Sequence, residues 1–187
     1  MKNTRESIIS ISQLDNASID HLLKLGSKRI LRKGKVLFHP KSYHHYLHII
    51  ESGVVRAYTH YKGKEVTFWL GMEGDIVFPY RTYMFGKTSY ETVELLEDCL
   101  FHSFLIKDLL HLFESDLKWA TWGRKLAEKE LIKMEERFIS YLFKTAKERY
   151  NQLIEQKPEI FNRIQLQHIA SYLGMTQVSL SRIRGEY

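Results

Sequence analysis

Between about residues 28 and 106, apolar and polar positions alternate in short runs: Val36 and Phe38, Leu47 and Ile49, Val55 and Ala57, then Val66, Phe68 and Leu70. A period of two with regular interruptions predicts short antiparallel strands that each bury one face. Gly34, Gly53, Gly63, Gly71 and Gly74 supply the interruptions, and KGKE at 62–65 reads as a hairpin tip. So many short strands fit a small β-barrel or double-sheet roll. Ahead of it, Leu14, Ile19, Leu22, Leu23 and Leu25 predict one amphipathic helix packed on an edge of the roll.

The period changes near Asp108. From there to about Gln156 the chain is rich in Leu, Ala, Glu and Lys and free of proline, which suits helix. Ala127, Leu131, Met134, Phe138 and Tyr141 step by four, three, four and three, the spacing of a coiled-coil-like seam. The seam predicts a dimer interface carried by Ala127, Leu131, Met134 and Phe138. The same spacing also suits a long helix that covers its own barrel, and Arg124 interrupts the seam if it is extended backward. Trp119 and Trp122 read as packing residues at the helix start. Lys157-Pro158-Glu159 ends the helical run, because proline has no amide hydrogen and biases Lys157 to extended backbone. A linker is expected there.

The last stretch, QLQHIASYLGMTQVSLSRIRGEY at 165–187, has a different logic. Leu166, Ile169, Ala170 and Leu173 fall on one stripe of a helix. Gly174 can adopt the positive φ that ends a helix sharply, and Thr176 can cap a new one. Leu180 and Ile183 then share a side that closes on the first helix, with Ala170 small enough to allow a tight crossing. A rotation of about 100° per residue leaves Gln177, Val178, Ser181 and Arg182 facing outward. This is the layout of a helix-turn-helix whose second helix reads DNA. Arg182 suits the O6 and N7 of guanine, Gln177 adenine or a phosphate, and Val178 a thymine methyl, while Thr176 and Ser179 suit phosphate oxygens.

Composition supports this reading without deciding it. The 187 residues are 44% hydrophobic and 27% charged, enough for two small cores and contrary to disorder. A formal net charge of +6 favours a polyanionic partner. The N-terminal MKNTRESIISISQLDNASID lacks the continuous apolar core of a signal peptide, and no segment approaches the ~20 apolar residues of a membrane span, so a cytoplasmic protein with no membrane partner is expected. Cys99 stands alone, which leaves no internal disulfide and no multi-cysteine cluster, and it should be a buried small apolar group. No GxSxG elbow or GxxxxGK phosphate loop occurs, so no catalytic residue and no cofactor is assigned.

A glycine-punctuated roll, a long helix and a terminal helix-turn-helix, in that order, resemble the Crp/Fnr family of bacterial transcription regulators. The most specific passages are YLHIIESGVVRAY at 46–58, GKE at 63–65, GDIV at 74–77 and SLSRIRGE at 179–186. The resemblance implies an α+β chain. Its parts are an antiparallel roll of the double-stranded β-helix, cyclic nucleotide-binding-like type at 1–115, a dimerisation helix at 116–140 and a helix-turn-helix domain at 141–187. The junction between sensor and DNA-reading halves is expected at 135–145. It further implies a homodimer on a two-fold symmetric promoter site, with RNA polymerase as a partner and an unidentified small-molecule effector in the roll. Cyclic-nucleotide-binding members carry a glutamate after the glycine of the GDIV segment, then an arginine and a serine that hold the cyclic phosphate. The matching places here hold Asp75, Ser89 and Tyr90. Loss of the bidentate cation, a contact worth about 1.5 to 3 kcal/mol, predicts no tight cyclic AMP binding. Arg81 is near in sequence but at the wrong spacing. Gln177 and Val178 replace the arginine and glutamate of the best-known branch, which predicts a different operator, and a chain end at Tyr187 predicts a shortened or missing wing.

Two rivals stand beside this reading. His39, His44, His45, His48 and Glu51 gather within residues 39–51, as in a cupin-like metal-dependent enzyme. Against it, His44 and His48 share strand parity while His45 points the other way, and the HxH pattern is missing. The other rival is a ligand- or protein-binding module that does not touch DNA.

Overall fold

The computed structural model describes residues 4–185. Strands β1 (Gly26–Leu31), β2 (Val36–Phe38), β3 (Tyr46–Ser52), β4 (Val55–Tyr61), β5 (Lys64–Gly71), β6 (Ile76–Val77), β7 (Thr92–Leu95) and β8 (Cys99–Leu105) form two four-stranded sheets, ordered β1-β8-β3-β6 and β2-β7-β4-β5. Every pairing is antiparallel. The α+β class and the roll expected from the alternation are what forms. The period works on both faces of β3: Leu47 and Ile49 turn out to a helical layer, while Ile50 turns in to join Phe38, Val55, Val77, Val93, Leu95 and Phe101 between the sheets. At the KGKE tip, Lys62 and Gly63 both take positive φ, 50° and 76°, as a two-residue hairpin turn requires. Gly71 departs from the turn expected of it. It closes β5 opposite Val55, with the Trp69 ring where a side chain would go.

The helical layer contains more than the single helix expected before the roll. α1 (Thr4–Ile11) precedes α2 (Asn16–Leu25), which starts at Asp15, whose carboxylate accepts the Ser18 amide at 2.8 Å. SIISIS is short, rich in β-branched isoleucine and without a long apolar stripe, a weak local preference against helix. Tertiary packing overrides it: Ile8 is fully buried, and its carbonyl accepts Trp122 Nε1 at 3.1 Å. A short helix, α3 (Tyr80–Phe85), also interrupts the roll.

After the roll come α4 (Ile106–Ser115), α5 (Leu117–Phe143), α6 (Ala146–Gln156), α7 (Ile160–Arg163), α8 (Leu166–Leu173) and α9 (Gln177–Gly185). α5 runs three residues past the expected 140. Trp119 and Trp122 anchor its first turns in the core at 3% and 1% exposure. Burying one such indole contributes about 4 to 6 kcal/mol of transfer free energy. α6 starts at a reciprocal capping pair, Thr145 and Glu148. The expected linker at 157–159 is a turn inside one continuous core, because Tyr150, Leu153, Ile160, Ile169, Leu173 and Leu180 pack with Val54, Leu70, Met72 and Leu96 of the roll. The wing lies outside the described residues.

Candidate functional site

α8 and α9 meet across the turn that the terminal stretch predicts. Ile169, Ala170 and Leu173 are buried, and Gly174 takes the left-handed conformation at φ 68°. Thr176 Oγ1 accepts the Ser179 amide at 3.1 Å and caps α9. Leu180 closes the pair from the other side with no exposure. What is left outward on α9 is Gln177, Val178, Ser181 and Arg182, flanked by Thr176 and Ser179; all six are exposed. Arg184, which sequence spacing did not single out, is exposed beside them. The Thr176 and Ser179 hydroxyls bond each other at 2.8 Å, and the one that accepts keeps its own hydrogen free to donate.

The outer face of α5 is apolar and bare. Leu131, Met134 and Phe138 are each more than 60% exposed, and Ala127 is exposed with them. Ile132, Ile139, Leu142 and Phe143 widen the stripe beyond the seam that spacing picks out. A contiguous apolar face of this kind marks an interaction surface. Tyr141 is a partial exception, for its hydroxyl donates to the Tyr172 carbonyl at 2.9 Å.

The three positions matched to the cyclic nucleotide site each have their own surroundings. Asp75 accepts the Met72 amide at 3.0 Å and pairs with Lys157 at 2.9 Å and Lys133 at 3.3 Å. Burial works to raise its pKa, but the two lysines hold it below the ordinary value. The clefts that Asp75 lines contain neither Ser89 nor Tyr90. Ser89 is buried with its hydroxyl unpartnered, and its backbone is tied to Lys41 and Ser42. Tyr90 is half-exposed beside Phe68, with the Arg81 guanidinium 5.7 Å from its ring, so Arg81 serves an aromatic contact.

Between the sheets lies the apolar cluster around Phe38 and Phe101. His48 is buried there, bonded to Ser103 Oγ at 2.8 Å, and burial together with Arg29 and His44 pushes its pKa down to about 3. The other histidines of the 39–51 cluster do not join it: His44 Nε2 sits on the backbone of His39, and Glu51 engages Thr4, Lys28 and His102. Among the described residues no group of three or more His, Cys, Asp or Glu side chains is placed to hold a metal ion. A cleft of about 580 Å³ lies elsewhere, between the roll and α6–α7, lined by Glu73, Asp75, Lys157 and Arg163 among others. Arg163 forks onto Glu73 at 2.8 and 2.9 Å and onto Glu97 at 2.6 and 3.0 Å. Burial works against the Glu73 carboxylate, yet Arg163 and the Gly53 amide hold its pKa down at about 2. These pairs join residues 66 and 90 positions apart, beyond any local sequence signal.

Residues 28–116 match the cyclic nucleotide-binding domain family. Among curated proteins no sequence matches the chain. Among solved structures, FixK2 from Bradyrhizobium japonicum is similar at a TM-score of 0.74 and 19% identity, covering 86% of this chain and 83% of its own. The catabolite activator protein of Thermus thermophilus gives 0.61 and 19%, covering 96% and 85%. A protein assigned to the transcriptional regulators of the Crp/Fnr family from Eubacterium rectale gives 0.70 and 17%, covering 91% and 82%. At these identities the likeness establishes the fold: a cyclic nucleotide-binding roll continued by helices, as in Crp/Fnr regulators. Among the described residues no helix is long and apolar enough to cross a membrane.

Proposed function

We propose that the chain is a sequence-specific DNA-binding transcription regulator of the Crp/Fnr type, in which α8 and α9 form a helix-turn-helix and α9 enters the major groove. The observation that carries this reading is the split of α9 into a sealed inner face at Leu180 and a bare outer face with Gln177, Val178, Ser181 and Arg182. The stripe at Ala127, Leu131, Met134 and Phe138 supports a homodimer, which places two copies of α9 on a two-fold symmetric promoter site about one helical turn apart. RNA polymerase is the expected protein partner at such a site.

The apolar cluster between the sheets and Ser89 in place of a phosphate-binding cation support a protein that does not respond to cyclic nucleotides. Any small-molecule effector is then of another class. Selection of binding sites from a random duplex pool, followed by gel shift across a salt series, tests the reading. A two-fold symmetric consensus bound with a steep salt dependence is the expected result. Equal binding to all duplexes, or none, would return the chain to the module that does not read DNA.

A further inference from the structure

The last turn of an α-helix leaves four carbonyls without an intrahelical donor. In α8 they belong to Ala170, Ser171, Tyr172 and Leu173. Backbone amides of the turn meet the first two: Gly174 reaches Ala170 and Ser171, and Met175 reaches Ala170 at 3.0 Å. The other two are met from outside the helix pair. Arg137 Nη2 and the Tyr141 hydroxyl, both on α5, donate to the Tyr172 carbonyl at 2.9 Å each, and Arg149 Nε on α6 donates to the Leu173 carbonyl at 3.0 Å. The three side chains form one stack. The Arg137 guanidinium lies 3.7 Å over the Tyr172 ring, and the guanidinia of Arg137 and Arg149 lie 5.2 and 5.0 Å from the Tyr141 ring. Two cations at the negative end of α8 add to the hydrogen bonds. Arg149 Nη1 also donates to the Lys144 carbonyl at 2.6 Å, where α5 ends. Gly174 admits the clamp, since a Cβ there would meet the Tyr141 ring at 2.7 Å.

We propose that Arg137, Tyr141 and Arg149 are positioning residues for DNA recognition, locking the C-terminal end of α8 to the end of α5 so that α5 sets the separation of the two α9 helices in a dimer. The proposal rests on the DNA-reading assignment of α9. Tyr141 is one seam step beyond Phe138, so a shift of the dimer seam reaches the turn before α9 through a single side chain.

The full-length protein and the duplex it selects from a random pool provide the test. The two half-sites are moved apart or together by one base pair, and a third duplex carries a single half-site. Tyr141→Phe and Arg149→Lys are expected to lower the preference for the natural spacing by about three- to tenfold, the worth of one hydrogen bond, with single half-site binding within about twofold of the unsubstituted protein. Equal weakening on all three duplexes would show a merely structural role, and an unchanged spacing preference would overturn the clamp. Absence of selective binding by the unsubstituted protein would instead overturn the DNA reading, and the clamp with it. Melting temperatures of both variants confirm that the fold survives.

Discussion

Arg182 sits on the bare face of α9, at the position whose fork matches a guanine edge. Arg182→Ala should therefore cost about 1 to 3 kcal/mol of binding concentrated on one base pair of the site, measured by competition among single-substituted duplexes. Uniform weakening would reassign Arg182 to phosphate. In the roll, His48 titrates in a way that sequence parity alone does not reveal. Its folded pKa, about 3, lies well below the ordinary histidine value of 6.5, so the unfolded chain takes up a proton across this window before the folded one does. The contribution of neutral His48 is fully present above pH 6.5 and is lost as the pH falls toward 3. Urea denaturation between pH 7 and pH 4 should show stability falling with pH, and His48→Gln should flatten that slope. An unchanged slope would place the acid sensitivity elsewhere.

At the scale of elements, α5 has one end in the core and the other bare. Its first turns hold Trp119 and Trp122, while Leu131, Met134 and Phe138 have no cover. A charge in the middle of a dimer seam is left desolvated and unpaired, so Leu131→Asp should yield a monomer by light scattering with the helical circular dichroism kept. A dimer that persists would move the interface off this stripe. The strands, α5 and the α8–α9 pair were legible in the chain because each is fixed by its own period and by local punctuation such as Gly63 and Gly174. α1 was not, because its eight residues are too few for a clear apolar stripe and Ile8 is held by Trp122 from 114 positions away. Nor was the seat of α8 on the roll, where Ser171 Oγ takes the Thr67 amide of edge strand β5 at 2.9 Å and His168 meets Arg56 at 2.9 Å. Such contacts depend on how elements are brought together, and no spacing along the chain encodes them. The candidate site divides the same way: the outward residues of α9 follow from helical rotation, whereas Arg137, Tyr141 and Arg149 acquire their meaning only from the carbonyls they reach.

For the whole molecule, the question is whether roll and C-terminal helices unfold together. They share one apolar cluster, from Val54 and Leu70 across to Ile169 and Leu180, and Arg163 fastens Glu73 and Glu97 of the roll to α7. Removing only the cation leaves two partly buried carboxylates facing each other, which costs more than the pair contributes while intact. Arg163→Ala should thus destabilise the protein by about 2 to 3 kcal/mol at neutral pH, below the full cost of a deeply buried pair because Arg163 remains a quarter exposed. Acid should narrow the difference. Glu73 contributes stability above its ordinary pKa of 4.5 that is lost as the pH falls toward about 2, and the variant has already forfeited the pairing behind it. The probes for this are built in. Trp69, Trp119 and Trp122, the three tryptophans of the chain, sit in the roll and the first turns of α5, whereas far-ultraviolet dichroism is dominated by all the helices. Coincident fluorescence and dichroism transitions in urea are expected for the unsubstituted protein, and dichroism that falls first is expected for Arg163→Ala, as the C-terminal helices leave the roll. Transitions that stay coincident in the variant would show that the shared apolar cluster alone couples the two halves.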